Sequence, residues 1–302
     1  MLRFSRTGRT KKHSLLRGFF SGSLVLVFVA GVYLSPLVQA YYGTDDQKEL
    51  FELSGQDLAD ADSVVALFPD YQVLDWGDGR SALLTTQYGE LYNLCPSERF
   101  REQPSGSFCS GVLVAPDIIA TAAHCITGEN LTDIRFVFGY RMKDESTPEL
   151  VIPNSDIYQG REVIGWQLDD SGADWALIRL DRSVQNHRVA PIRRSGTISD
   201  SQTLHLISFP NGLPVKFAGG GTVRNNRYRA AFVENLDAYQ GSSGAPVFNS
   251  TTHEVEGLHV WGKKDQFVKE GDCWVSRVCP NDGCSGGLTT RTAEFAYLLA
   301  GS

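Results

Sequence analysis

Residues 107–125 read "SFCSGVLVAPDIIATAAHC". Two short apolar runs flank Pro116-Asp117, which predicts two antiparallel strands joined by a tight turn. The second run ends at His124 beside Cys125. A bridge from Cys109 to Cys125 could clamp this hairpin and fix where His124 sits. Imidazole titrates near neutrality, so a histidine held in place can take a hydroxyl proton and later return it. Taken alone, a histidine before a cysteine is more simply a structural residue, and the rest of the chain has to decide.

Downstream, "IRFVFGY", "WALIRL", "TLHLISF", "AAFVENL", "APVF" and "EVEGLHVWG" repeat the pattern of short β-type runs, with "PNG", "GGG" and "DG" between them. Upstream, "YQVLDW" and "SALLTTQYGELYNL" also read as strands. Thirty glycines and twelve prolines in 302 residues argue against a helical bundle and for an all-β body of antiparallel barrels or a sandwich. Only "RTAEFAYLLAG" near the end spaces its apolar residues as a helix does.

The first 40 residues stand apart. Six Lys or Arg and no acid precede the apolar run "FFSGSLVLVFVAGVYL", and "SPLVQA" follows with Val38 and Ala40 in a small-residue cleavage pattern. We read residues 1–40 as a signal peptide cut after Ala40. The alternative is an uncleaved membrane anchor at 19–34, and a membrane enters only in that case. Loss of the six positive charges takes the formal net charge from −7 to −13, which makes nucleic acid a poor partner. Export also places Cys95, Cys109, Cys125, Cys273, Cys279 and Cys284 in an oxidising compartment, where an even count predicts three disulfides. The C-x5-C-x4-C spacing of the last three does not match the usual zinc knuckles, and no metal or organic cofactor is expected.

Two further stretches carry chemistry. In "SGADWALIRLDRSV" (171–184) Asp174 stands at the mouth of an apolar strand, where its carboxylate could accept the second imidazole N–H. Asp169, Asp170 and Asp181 compete for that role from less favourable positions. In "DAYQGSSGAP" (237–246) Gly241 and Gly244 flank two serines and let backbone N–H groups converge on one point. Acyl transfer needs such convergence to bind a tetrahedral oxyanion.

The order His124, Asp174, Ser243, together with "TAAHC", "DWALIRL" and G-x-S-G-x-P, resembles the trypsin-like (chymotrypsin-fold) serine peptidases over roughly residues 85–300. The resemblance implies two packed six-stranded antiparallel β-barrels with a short C-terminal helix and the triad in the cleft between them. It also implies a Cys109–Cys125 disulfide, leaving three connectivities for the other four cysteines, and an oxyanion hole from the N–H groups of Gly241 and Ser243. By the family pattern Ser243 is the nucleophile and Ser242 is not. Ser242 replaces the aspartate that pairs with the new N-terminus in vertebrate trypsins, so that switch cannot operate here. With "GTDD" near the mature start, this leans the chain towards the bacterial glutamyl-endopeptidase-like branch. The peptidase domain is expected at 86–302, with 41–85 an N-terminal extension or propeptide.

Specificity reads less clearly. Asp237 stands six residues before Ser243, where trypsin has its specificity aspartate, and implies cleavage after Arg or Lys. Tyr239 occupies a place where trypsin has a disulfide cysteine, so Asp237 could instead structure the loop. His259 corresponds to a histidine that binds the substrate carboxylate in glutamate-specific relatives, and Trp261 and Gly262 resemble the strand that lines the substrate channel. The expected protein is a secreted or periplasmic serine endopeptidase acting on protein or peptide substrates. A non-catalytic binding module on the same fold is the competing reading.

Overall fold

The computed structural model describes residues 41–261 and 266–299. The proposed signal peptide, its anchor alternative at 19–34, and Gly262 lie outside them. No helix among the described residues is long and apolar enough to cross a membrane.

Twelve strands form two closed six-stranded antiparallel barrels. The first contains β1 (Val64–Pro69), β2 (Cys109–Ala115), β3 (Ile118–Thr121), β4 (Ile134–Val137), β5 (Ile157–Leu168) and β6 (Asp174–Leu180), hydrogen-bonded in the order β5-β6-β3-β2-β1-β4. The second contains β7 (Thr203–Ser208), β8 (Lys216–Asn225), β9 (Ala231–Glu234), β10 (Ala245–Asn249), β11 (Val255–Trp261) and β12 (Gly287–Arg291), in the order β7-β8-β9-β12-β11-β10. The 107–125 hairpin forms as read, with Val112 opposite Ala120 and Leu113 opposite Ile119.

A strand with one wet face alternates apolar and polar residues, whereas a strand covered on both faces does not. All seven residues of β2 are buried, and six of seven in β6. One face points into the first barrel; the other meets the second barrel, where β2 touches β10 and β6 touches β11. One hydrophobic core therefore runs from Val65, Leu113 and Ile178 through to Phe248, Leu258 and Phe295, and a separate cluster with Leu204, Leu206, Phe232 and Val247 lies on strands of the second barrel.

A strand of the first barrel lies ahead of residue 86, the expected start of the peptidase domain. β1 lies within residues 41–85 and pairs with β2 on one side and β4 on the other. Val65, Leu67 and Phe68 are fully buried, each worth roughly 1.5–3 kcal/mol of transfer free energy. Cutting this strand away would open the first barrel. The short helix α1 (Gly55–Ala61) leads into β1.

Where a short C-terminal helix is expected, the described residues form two short 3-10 helices, Thr292–Glu294 and Ala296–Leu299. Phe295 between them is fully buried and tilts against Trp175, so tertiary packing takes the apolar spacing without a continuous α-helix.

Cys109–Cys125 is bonded, and the other pairs are Cys95–Cys273 and Cys279–Cys284. Cys95 lies in an insertion of the first barrel and Cys273 in a hairpin inserted between β11 and β12, so that bridge staples the two halves. Around it, the Cys95 N–H donates to the Trp274 carbonyl and the Trp274 N–H to the Asn93 carbonyl.

Candidate active site

β3 ends at Thr121 and the chain turns through a 3-10 turn, Ala123–Cys125, which carries His124. Asp174 begins β6, the strand paired with β3. This pairing brings the two residues together: the His124 backbone N–H donates to Asp174 Oδ1 at 3.1 Å, and His124 Nδ1 lies 2.6 Å from Oδ2. Both carboxylate oxygens grip one residue, which fixes the ring and assigns the proton to Nδ1. Asp174 is buried and the His124 ring is a third exposed. Of the four candidate aspartates, Asp174 is the one hydrogen-bonded to His124 among the described residues. Asp169 turns back onto Ser171 and Gln167, and Asp181 accepts the Gln159 N–H and an Arg182 guanidinium N–H.

Thr290, which no local motif singles out, belongs to this unit. From β12 of the other barrel its Oγ1 accepts the Asp174 N–H at 3.1 Å and donates to the Gly172 carbonyl at 2.7 Å. Ser110 is a second. Fully buried in β2, it donates its N–H to the Ser243 carbonyl at 2.8 Å and its hydroxyl to the Gly241 carbonyl at 2.8 Å. A hydroxyl inside the apolar run "CSGVLV" was the available signal.

The serine loop is pressed onto the first barrel. Gly241 (φ +89°) and Gly244 (φ +83°) hold conformations that favour glycine, and an added Cβ would lie 2.6 Å from the Phe209 carbonyl or 2.3 Å from the Ser110 carbonyl. Cys125 Sγ approaches the Ser243 carbonyl at 3.8 Å, so the residue after His124 touches Ser243. Most amides of the loop are committed. Gln240 N–H donates to Gln266 Oε1, Ser242 N–H to the Tyr239 carbonyl, Gly244 N–H to the His259 carbonyl, and Ala245 N–H to the Ser242 carbonyl. Among the described residues this leaves the N–H groups of Gly241 and Ser243 without a partner, which is the pair an oxyanion would require. The Ser242 side chain faces inward, 3.0 Å from Ser208 Oγ.

Asp237 does not stand free at a pocket floor. It is buried, and its two oxygens accept the N–H groups of Tyr42 (2.6 Å) and Asp46 (3.3 Å) from the arm at the start of the described chain. Burial pushes its carboxyl up to about 9, with the neighbouring carboxylate of Asp46 adding to the rise. Tyr239 is buried beside it. His259 is fully buried; its Nδ1 lies 2.9 Å from Glu234 Oε1, and its Nε2 has no partner among the described residues. Trp261 is exposed and, with Leu168, Asp174, Tyr228, Val260 and Leu288, lines a cavity of about 430 Å³ beside the His124–Asp174 pair.

Residues 109–258 match the family model of the trypsin-like peptidase domain. Human chymotrypsin-like elastase family member 3A is 33% identical over 131 residues, covering 41% of this chain and 44% of the relative; the chain thus matches less than half the length of that curated relative. Among solved structures, the Vibrio cholerae VesB protease superposes with a TM-score of 0.51 at 15% identity, covering 86% of this chain and 67% of the other. A Glu endopeptidase in complex with MPD superposes with a TM-score of 0.50 at 15% identity, covering 86% and 97%. At that identity the superpositions speak for the fold, two closed six-stranded barrels, while the family match spans the His124, Asp174 and Ser243 motifs. Over residues 109–258, just under half of its length, this chain is similar to the trypsin-like peptidase family.

Proposed function

We propose that the protein is an exported serine endopeptidase in which Ser243 attacks the scissile carbonyl. His124 Nε2 takes the serine proton and returns it to the leaving amine, and Asp174 holds the ring and stabilises the imidazolium. The free N–H groups of Gly241 and Ser243 receive the oxyanion, each worth ~2.7–4 kcal/mol in the transition state. Water then hydrolyses the acyl-enzyme. The observation that carries this reading is the two-point grip of Asp174 on His124, with a serine loop beside it whose two uncommitted amides are those the chemistry needs. Three disulfides support folding in an oxidising compartment, secreted or periplasmic.

A fluorophosphonate probe should label the oxidised wild-type protein and fail to label Ser243→Ala. Absence of labelling in correctly bonded wild type would favour the binding-module reading.

The preferred residue before the scissile bond is a separate question. The expectation of Arg or Lys rests on a charged Asp237. A carboxyl engaged by two backbone amides and protonated at neutral pH makes a weak partner for a cation. His259 supports an acidic or polar residue instead, since Glu234 holds its Nδ1 and its Nε2 is left to accept or donate. Cleavage profiling on a peptide library with wild type, Asp237→Ser and His259→Val separates these. A basic preference that Asp237→Ser abolishes would restore the first expectation.

A further inference from the structure

Four metal-ligating side chains outside the triad converge from separate segments. Asp57 and Asp60 lie one turn apart on α1, His205 is in β7, and His253 is in the turn between β10 and β11. One donor atom from each lies within 4.8 Å of all the others. Asp60 Oδ2 is 2.6 Å from His253 Nδ1 and 3.2 Å from His205 Nε2. A tetrahedral zinc ion with bonds of about 2.0–2.1 Å holds its donors roughly 3.3 Å apart, so the 3.2 Å separation is near the required value already and the 2.6 Å one has to open by roughly 0.7 Å.

The outer contacts resemble those that orient metal ligands. His205 Nδ1 lies 3.2 Å from Ser250 Oγ, and its ring is stacked between Phe217 and Phe248 with centroids 5.1 and 5.0 Å away. A proton on Nδ1, donated to Ser250, leaves the Nε2 lone pair aimed at Asp60. Gln56 Nε2 donates to Asp60 Oδ1 at 2.9 Å, which leaves Oδ2 for the centre. The side chains of His205 and Asp60 are 1% and 3% exposed while that of His253 is 24% exposed, so the cluster has a buried base and an open side. His253 adopts φ +58°, a conformation uncommon outside glycine and asparagine.

We infer that Asp57, Asp60, His205 and His253 form a binding site for a transition-metal dication of the zinc class. Two carboxylates balance the charge of a dication, and two imidazoles disfavour calcium and magnesium, which take oxygen donors. α1 leads into the first barrel, whereas both histidines belong to the second. A bound ion therefore ties the entry to one barrel onto the other, and its role is stability.

The test uses untagged protein stripped with a chelator and titrated with Zn2+, followed by thermal melting and by competition against a chromogenic chelator. One ion should bind per chain, and at about a hundredfold excess over Kd the Tm should rise by about 5–10 °C. His124→Ala should respond as wild type does, which separates this site from the triad histidine. Asp57→Asn keeps the side-chain shape and His253→Asn tolerates the left-handed backbone, so both should fold; each should weaken Zn2+ binding at least tenfold. No Zn2+-dependent rise in wild type, a rise untouched by both substitutions, or an equal response to Ca2+ would overturn the inference and leave the cluster as a hydrogen-bond network only.

Discussion

Asp174 holds His124 by its backbone and by its ring, and Thr290 holds Asp174 in turn. Asp174→Asn should keep the fold and reduce kcat by about 10⁴, because the amide stabilises the wrong tautomer and leaves no charge opposite the imidazolium. Gly241→Ala strikes the other half of the chemistry. Its φ of +89° and the carbonyl 2.6 Å from the new Cβ force the loop to move, so the proposed oxyanion donors lose their aim. Here kcat/KM should fall about 10²–10³-fold. Steady-state kinetics on a peptide ester reads both, and a Gly241→Ala enzyme with unchanged kcat/KM would remove Gly241 from the oxyanion hole.

At the scale of elements, the arm at residues 41–49 is built into the second barrel. Tyr41–Tyr42 pairs in parallel with Val278–Cys279, Lys48 exchanges backbone hydrogen bonds with Phe217, and Glu49 meets the fully buried Lys216 at 3.0 Å. Burial lowers the Lys216 ammonium to about 8 although Glu49 works against the shift. Lys216→Ala would leave Glu49 buried and unpaired, and denaturant unfolding should show a loss of about 3–5 kcal/mol. Asp237 gives this region a pH dependence. Its folded carboxyl keeps a proton up to about 9, whereas in the unfolded chain the proton leaves near the ordinary value of about 4. The folded state therefore binds more protons between those values, and Asp237 makes stability decline as pH rises across that window. Asp237→Asn should flatten the decline in Tm measured from pH 5 to 9, and an unchanged slope would contradict the assignment.

The whole molecule depends on contacts that cross from one barrel to the other. Ser110 of the first barrel positions the serine loop, and Thr290 of the second positions Asp174. The Cys95–Cys273 bridge joins insertions 178 residues apart. A Cys95→Ser/Cys273→Ser double variant should lose about 2–5 kcal/mol of stability. A readout that separates this from a local effect is trypsin or thermolysin susceptibility of the intact fold, which should rise in the double variant and stay low in wild type.

Much of this was legible in the order of residues. "TAAHC", "DWALIRL" and "GSSGAP" are local patterns: a turn at Pro116-Asp117, an apolar strand and glycines at strained positions each say what the nearby backbone will do; runs with that character imply an antiparallel all-β body, and the family resemblance of these motifs implies the two barrels. What the chain order could not reveal is which distant groups meet. β1 was read as lying outside the domain because its partners β2 and β4 are about 40 and 70 residues away. The apolar spacing of "RTAEFAYLL" suits a helix, and the structure forms it as two short 3-10 helices on either side of the buried Phe295. Asp237 stands in sequence where a specificity charge is expected, and only the fold placed the amides of Tyr42 and Asp46 on its oxygens. Local sequence fixes torsions and turn chemistry; burial, and with it the charge state of Asp237 and Lys216, depends on what the rest of the chain brings alongside, and tertiary structure alone decides that.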